Sequence, residues 1–348
     1  MASAVKTAAA LFAITITSSI ALLPAQEVSS NPVGSVTIEV AVGSAAGRTI
    51  SVVSLPLTGI ASAAGAMKGT ITAVTSSTLA NSAAGWTAGE LSSVASPHVI
   101  RITSGAAKGR TFLISTATPN TATTVTLDSE DLSLLSFADA GISVGDSYEI
   151  IVCDTLGSVF GTPETTRVLG AANSSTADII QVLVQGQYRQ YYYNTTRNAW
   201  LRVGPETVST NVPLRPDAAV IYSRAGQTPL QFTIGGPVPM IERKALVRNS
   251  GATLLANWWP VEITLGASGI AELPGWIKST SAAAADTVQV NVGGAWRKYY
   301  HNGTQWLRVG PNTPSNDVVL NVGDGVLIGK QGSQAGAGTV QQNLPYNL

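Results

Sequence analysis

Apolar and polar residues alternate with a period of two along much of the chain, the pattern of strands that bury one face. Val36-Thr37-Ile38-Glu39-Val40 and Thr49-Ile50-Ser51-Val52-Val53 alternate, and Pro56 then marks a strand end or edge. The same reading predicts strands at 68–74, 98–103, 110–115, 123–127 and 146–152. The connection Ser104-Gly105-Ala106-Ala107-Lys108-Gly109 has a glycine near each end, which supplies the positive φ of a tight hairpin and leaves Lys108 as a solvated turn residue. It is not a phosphate-cradling loop, because no helix start follows Gly109. Only 155–161 and 264–270 read as short helical turns.

One pattern occurs twice. Ala177-Asp178, Gln181-Val182, Arg189, Tyr191-Tyr192 and Asn194 match Ala285-Asp286, Gln289-Val290, Arg297, Tyr299-Tyr300 and Asn302. After a short insertion in the first copy, Trp200-Leu201-Arg202-Val203-Gly204-Pro205 is identical to the segment from Trp306 to Pro311. Ala219-Val220-Ile221 then lines up with Gly325-Val326-Leu327. A duplication of this length implies two copies of one supersecondary unit. The predicted fold is all-β: a small N-terminal β module followed by two homologous β-rich repeats, sandwich-like or partly open barrels. The layout is 1–25 signal peptide, 26–66 lead strands, 67–152 small module, 153–240 first repeat, and 241–348 connector, second repeat and tail. Residues 234–239 and 257–260 read as connectors.

The repeated segment reads as a hairpin. Asn302-Gly303 is the preferred two-residue type I′ turn, and that turn would place His301 opposite Thr304, Tyr299 opposite Trp306 and Arg297 opposite Arg308. The first copy would then set Tyr191 opposite Trp200 and Arg189 opposite Arg202. One face would carry an aromatic pair beside two like charges, while Tyr188, Leu201 and Val203, or Trp296, Leu307 and Val309, would face the core. Opposed arginines need something to offset their repulsion. Either Asp178 and Asp286 neutralise them, or the arginines stack on the rings, or the face takes a ligand. The ligand-face reading makes Arg189, Tyr191, Trp200, Arg202, Arg297, Tyr299, Trp306 and Arg308 the candidate binding residues for an acidic or neutral glycan.

Composition narrows the function. Charged residues make up 11% of the 348 positions, well below the roughly 25% of a soluble domain, and the 20 basic and 20 acidic residues cancel. No net field steers the chain to nucleic acid, and low charge favours self-association or surface attachment. The single cysteine, Cys153, excludes an intrachain disulfide and reads as a buried structural thiol. A short basic start at Lys6, an apolar run over 7–23 and Leu23-Pro24-Ala25 before Gln26 read as a secretory signal peptide. No other stretch reaches the about 20 apolar residues of a spanning helix, so no transmembrane segment is expected in the mature chain.

Catalytic chemistry finds little support. His98 falls in a strand, and His301 reads as an exposed hairpin-tip residue without a nucleophile or carboxylate at a recognisable spacing. Asp128, Glu130 and Asp131 lack the ligand alternation of a calcium loop, so no metal and no cofactor are expected. Trp258-Trp259 reads as packing, and the sequons at Asn173, Asn194 and Asn302 coincide with turns.

Two resemblances rest on these residues. The Trp86, Arg101 and Gly105 module over 67–152 resembles small β modules of bacterial surface and phage tail-like proteins. Together with Val53-Ser54-Leu55-Pro56-Leu57, the duplicated Ala-Asp, Tyr-Tyr and Trp positions, Gly236-Pro237-Val238-Pro239 and Pro345-Tyr346, the layout resembles an uncharacterised, paralogue-rich family of exported proteins of Verrucomicrobia-type bacteria. That resemblance implies export and a surface or matrix role, and brings no activity or ligand. The expected function is a non-enzymatic structural or cell-surface protein whose partners are itself or other envelope and matrix components. The alternative is a carbohydrate-binding or adhesion protein that uses the hairpin faces.

Overall fold

The computed structural model describes residues 32–44, 47–57, 66–129, 140–292, 295–332 and 337–346. The expected signal peptide, Glu130 and Asp131 lie outside the described residues. The protein is all-β, as the two-residue periodicity predicts. Its described residues gather around three large hydrophobic cores.

The first strands are β1 (Val33–Val40) and β2 (Thr49–Val53). The small module follows, with β3 (Met67–Thr70), β4 (Ala73–Val74), β5 (Thr78–Ala80), β6 (His98–Ile102), β7 (Thr111–Leu113), β8 (Thr124–Thr126) and β9 (Ser147–Val152). Its sheets run β3-β9-β6-β7 and β4-β5-β8, and close on Ile71, Leu79, Trp86, Ile100, Phe112 and Ile150. Two short helices, α1 (Leu156–Phe160) and α2 (Pro163–Thr166), lead into the next body. Thr155 caps α1 by accepting from the Ser158 amide, while the Ser158 hydroxyl accepts from the Thr155 amide.

The first unit then supplies β10 (Ile179–Val184), β11 (Gln187–Asn194), β12 (Ala199–Arg202), β13 (Val220–Arg224) and β14 (Leu230–Pro237). Its sheet runs β12-β11-β10-β13-β2, and β1 pairs with β14 along its full length from Val33↔Pro237 to Val40↔Leu230. β1 and β2 are therefore strands of the first unit, and the module between them and α1 is an insertion within it. Likewise 234–237 is not a connector but the end of β14. Long-range pairing of this kind leaves no local mark in sequence.

The second unit comprises β15 (Arg243–Arg248), β16 (Gly251–Ala256), β17 (Ile263–Thr264), β18 (Thr287–Val292), β19 (Ala295–His301), β20 (Trp306–Arg308), β21 (Val319–Leu320), β22 (Gly325–Lys330) and β23 (Ala337–Gln342). Its five-stranded sheet runs β20-β19-β18-β22-β16, and β15 pairs with β23. This is the strand order of the first unit, with β16 in the place of β2 and the β15–β23 ribbon in that of β1–β14. Aligned residues hold matching registers: Ile180↔Tyr191 against Val288↔Tyr299, and Gln181↔Ile221 against Gln289↔Leu327.

The two units meet through the sheet faces turned away from their cores. Val52, Ala219 and Ile221 pack against Leu254, Trp296 and Leu327. A Cβ added to Gly325 would lie 2.5 Å from both the Ala219 Cβ and a Val52 methyl, so the absence of a side chain there sets how closely the sheets approach. Gly325 and Ala219 are aligned positions, so the units contact each other through corresponding surfaces.

Candidate functional site

The hairpin register differs from the expected one by two residues on one strand. His301 pairs with Trp306 and Tyr299 with Arg308; in the first copy Tyr193 pairs with Trp200 and Tyr191 with Arg202. The second hairpin closes through four residues, 302–305, because the Asn302 side chain organises the turn. Its Oδ1 accepts from the Thr304 amide, the Thr304 hydroxyl and the Gln305 amide at 2.9–3.0 Å, and the Asn302 amide donates to the Gln305 carbonyl. Arg297 is thus not opposite Arg308, nor Arg189 opposite Arg202, and the expected repulsion does not arise.

The aromatic face expected to be open is buried, and of the residues expected to face the core Leu201 is buried while Tyr188 is exposed. Tyr191, Tyr193 and Trp200 lie in the first core, and Tyr299 and Trp306 in the second; none of the five is more than 5% exposed. They are core rings rather than sugar platforms. Burying a ring of about 150–250 Å² at about 25 cal/mol per Å² stabilises the fold by about 4–6 kcal/mol before side-chain entropy is counted. The proposed binding set therefore splits: Tyr191, Trp200, Tyr299 and Trp306 are interior, Arg189 and Arg202 are half-buried, and Arg297 and Arg308 are exposed. Arg189 donates to Gln185 Oε1 at 2.7 Å. His301 is buried against Trp306, 5.4 Å between ring centres, and not an exposed tip residue. Burial, and next the nearby Lys278, lower its pKa.

The two aspartates have other partners, and each forms a densely hydrogen-bonded buried site. Asp178 and Asp286 are both fully buried, and each is paired with a buried base: Asp178 with Arg224, Asp286 with Lys330. Around Asp178, Oδ2 accepts from the Tyr222 hydroxyl at 2.7 Å and the Leu169 amide at 2.9 Å, and Oδ1 from the Ala225 amide at 2.8 Å and the Gly226 amide at 3.3 Å. Around Asp286, Oδ2 accepts from the Ile277 amide and Oδ1 from the Gln331 amide, both at 2.7 Å. Burial, then the Asp178 charge, raise the Tyr222 phenol well above its ordinary value. Each aspartate ties the loop before the central strand to the end of the strand beside it. Sequence alignment did carry a signal for the bases, since Ser223-Arg224 lines up with Gly329-Lys330.

A second polar zone joins the module to the second unit. The turn Ser104–Arg110 docks on β15: the Lys244 amide donates to the Gly109 carbonyl at 3.1 Å, and Lys244 Nζ to the Ala106 carbonyl at 2.8 Å. Lys108, expected to be solvated, pairs with Glu242 at 2.8 Å, and Arg110 donates to Thr339 at 3.2 Å. Gly109 has φ +89°, and an added Cβ would sit 2.3 Å from the Glu242 carbonyl oxygen, so glycine is required both by the turn and by the contact. Deeper in the seam, Arg101 pairs with Glu149 at 2.8 Å, and Arg243 is 4% exposed with its Nε unpartnered. Burial, then the Arg101 charge, bring Arg243 down to about 9.

A concavity of about 410 Å³ opens where the module meets the first unit, lined by Ser96, Pro97, Asp154, Ser158, Thr210 and Asn211 among others. A smaller one of about 160 Å³ adjoins it, sharing Pro97 and Asn211 and reaching Asp128, Leu183 and Arg215. Cys153 lies in the wall of the larger, buried as expected, with its thiol pKa raised first by burial and then by Asp154. Among the described residues no three acidic, histidine or thiol groups come together as a metal site requires. No family model matches the chain, and neither the curated proteins nor the solved structures contain a match.

Proposed function

We propose that the protein is an exported structural component of a cell surface or matrix, and that it associates with itself or with other components of that layer. The observation that supports this most directly is the bracing of its three bodies. The chain passes from the first unit into the module and back, and the module then grips the second unit through Lys108–Glu242, Lys244–Ala106 and Arg110–Thr339. The two units also share an apolar contact through Val52, Ala219 and Leu254, and a hydrophobic interface of this kind is what restricts relative motion, which suits a load-bearing element. The low charge seen in the sequence adds to this, since a weakly charged surface resists association poorly. We read the two units as copies of one ancestral element that received the module as an insertion.

The test has two arms. Fractionation of the producing cell with N-terminal sequencing should place the chain outside the cytoplasm, cleaved near Ala25; an uncleaved cytoplasmic chain overturns the surface role. Light scattering and negative-stain microscopy of the exported protein should show assemblies that grow with concentration. A strict monomer throughout overturns self-association.

A further inference from the structure

We propose that the groove between the module and the first unit binds a neutral oligosaccharide. The two concavities share Pro97 and Asn211, so they form one trough along the seam, and the larger lobe falls within the about 300–1,000 Å³ of small-molecule sites, which favour domain junctions. Its lining is chemically mixed. Ser96, Thr210 and Asn211 bring hydroxyl and amide groups, and Pro97, Val152 and, in the smaller lobe, Leu183 bring apolar surface. A sugar ring presents the same mixture, with hydroxyls at its edge and C–H groups on its face.

Charge narrows the class. Asp154 lines the larger lobe and Asp128 the smaller, so an oxyanion would meet carboxylates in both. Arg215, the cation in the smaller lobe, is already held by Asp217 at 3.4 Å. A hydroxyl-rich ligand without charge leaves these pairings undisturbed. Thr210 is held in place independently of any ligand: the Gly157 amide donates to its carbonyl at 2.8 Å, and a Cβ added to Gly157 would lie 2.5 Å from its methyl. This preorganises the rim, which lowers the cost of binding. The site is separate from the hairpin faces and does not depend on self-association.

Saturation-transfer NMR of the full chain tests it with neutral oligomers of two to four glucose, mannose or N-acetylglucosamine units, alongside uronic-acid and sulfated oligomers. At least one neutral oligomer should give contacts, and its affinity should fall at least tenfold in Asn211→Trp, which fills the saddle, and in Ala95→Trp, which places a ring at an exposed rim position. Both variants should unfold at the wild-type temperature. Lack of binding by every neutral oligomer, preference for the anionic ones, or unchanged affinity in both variants would each overturn the proposal. A monomeric protein that binds a neutral sugar keeps it and overturns only the assembly reading.

Discussion

The two units solve the same problem with different bases. Both bury an aspartate completely at the start of the central strand, and both bring a cation from the neighbouring strand onto it. The first unit uses Arg224, whose Nη2 also donates to the Thr228 carbonyl at 3.1 Å, and adds the Tyr222 hydroxyl. The second uses Lys330, which donates to the Gly275 carbonyl at 2.7 Å and lies 5.1 Å from the centre of the Trp276 ring; Ile328 stands where the tyrosine would be. A guanidinium spreads its charge over a fork of donors and so can serve two loops at once, whereas an ammonium is a compact charge that an aromatic face can partly solvate. The architecture thus specifies a buried pair and leaves its chemistry open.

Removing the acid should break the comparison most sharply. Asp178→Ala strands Arg224, the Tyr222 hydroxyl and three amides, and should cost about 3–5 kcal/mol in urea unfolding, as loss of one partner of a buried pair does. Asp286→Ala strands Lys330 and two amides and should fall at the lower end of that range. Equal losses would mean that the number of donors does not matter.

Exchanging the bases tests the geometry. Arg224→Lys keeps the charge but gives up the Thr228 contacts, for an expected loss of about 1–3 kcal/mol. Lys330→Arg must fit a larger head against Trp276 and should cost a similar about 1–3 kcal/mol by overpacking.

Tyr222→Phe should cost about 1–2 kcal/mol near neutral pH and change the alkaline behaviour. The raised folded-state value means that the folded protein holds the phenolic proton more tightly. The stability this tyrosine contributes is therefore complete below the ordinary value of about 10 and is lost as pH rises above it. Urea midpoints at about pH 8 and about pH 10.5 should differ less in the variant than in the wild type, with some difference left because Tyr148, Tyr191, Tyr193 and Tyr346 shift the same way.

The smallest effect concerns the rings. His301 and Tyr193 occupy matching places, each edge-on to the hairpin tryptophan. His301→Tyr copies the first unit into the second and should change stability by less than about 1 kcal/mol; a larger loss would show that the histidine's acceptance of the Gly303 amide at 3.1 Å governs the turn.

Local physics made much of this protein legible from its sequence. Alternation of apolar and polar residues announces the strands, because a half-buried pleated strand cannot satisfy its two faces otherwise. The glycines of the Ser104–Arg110 turn announced its positive φ, and the Trp-Leu-Arg-Val-Gly-Pro identity announced two matching hairpins. Tertiary structure decided what depends on partners far along the chain. The Asn302 side chain set a four-residue loop where the dipeptide alone suggested two. The tyrosine–tryptophan face turned inward because β1 and β14 arrive to cover it, from nearly 200 residues apart in sequence. Asp178 and Asp286 took their bases from strands more than forty residues away, a choice that burial enforces and no local spacing reveals.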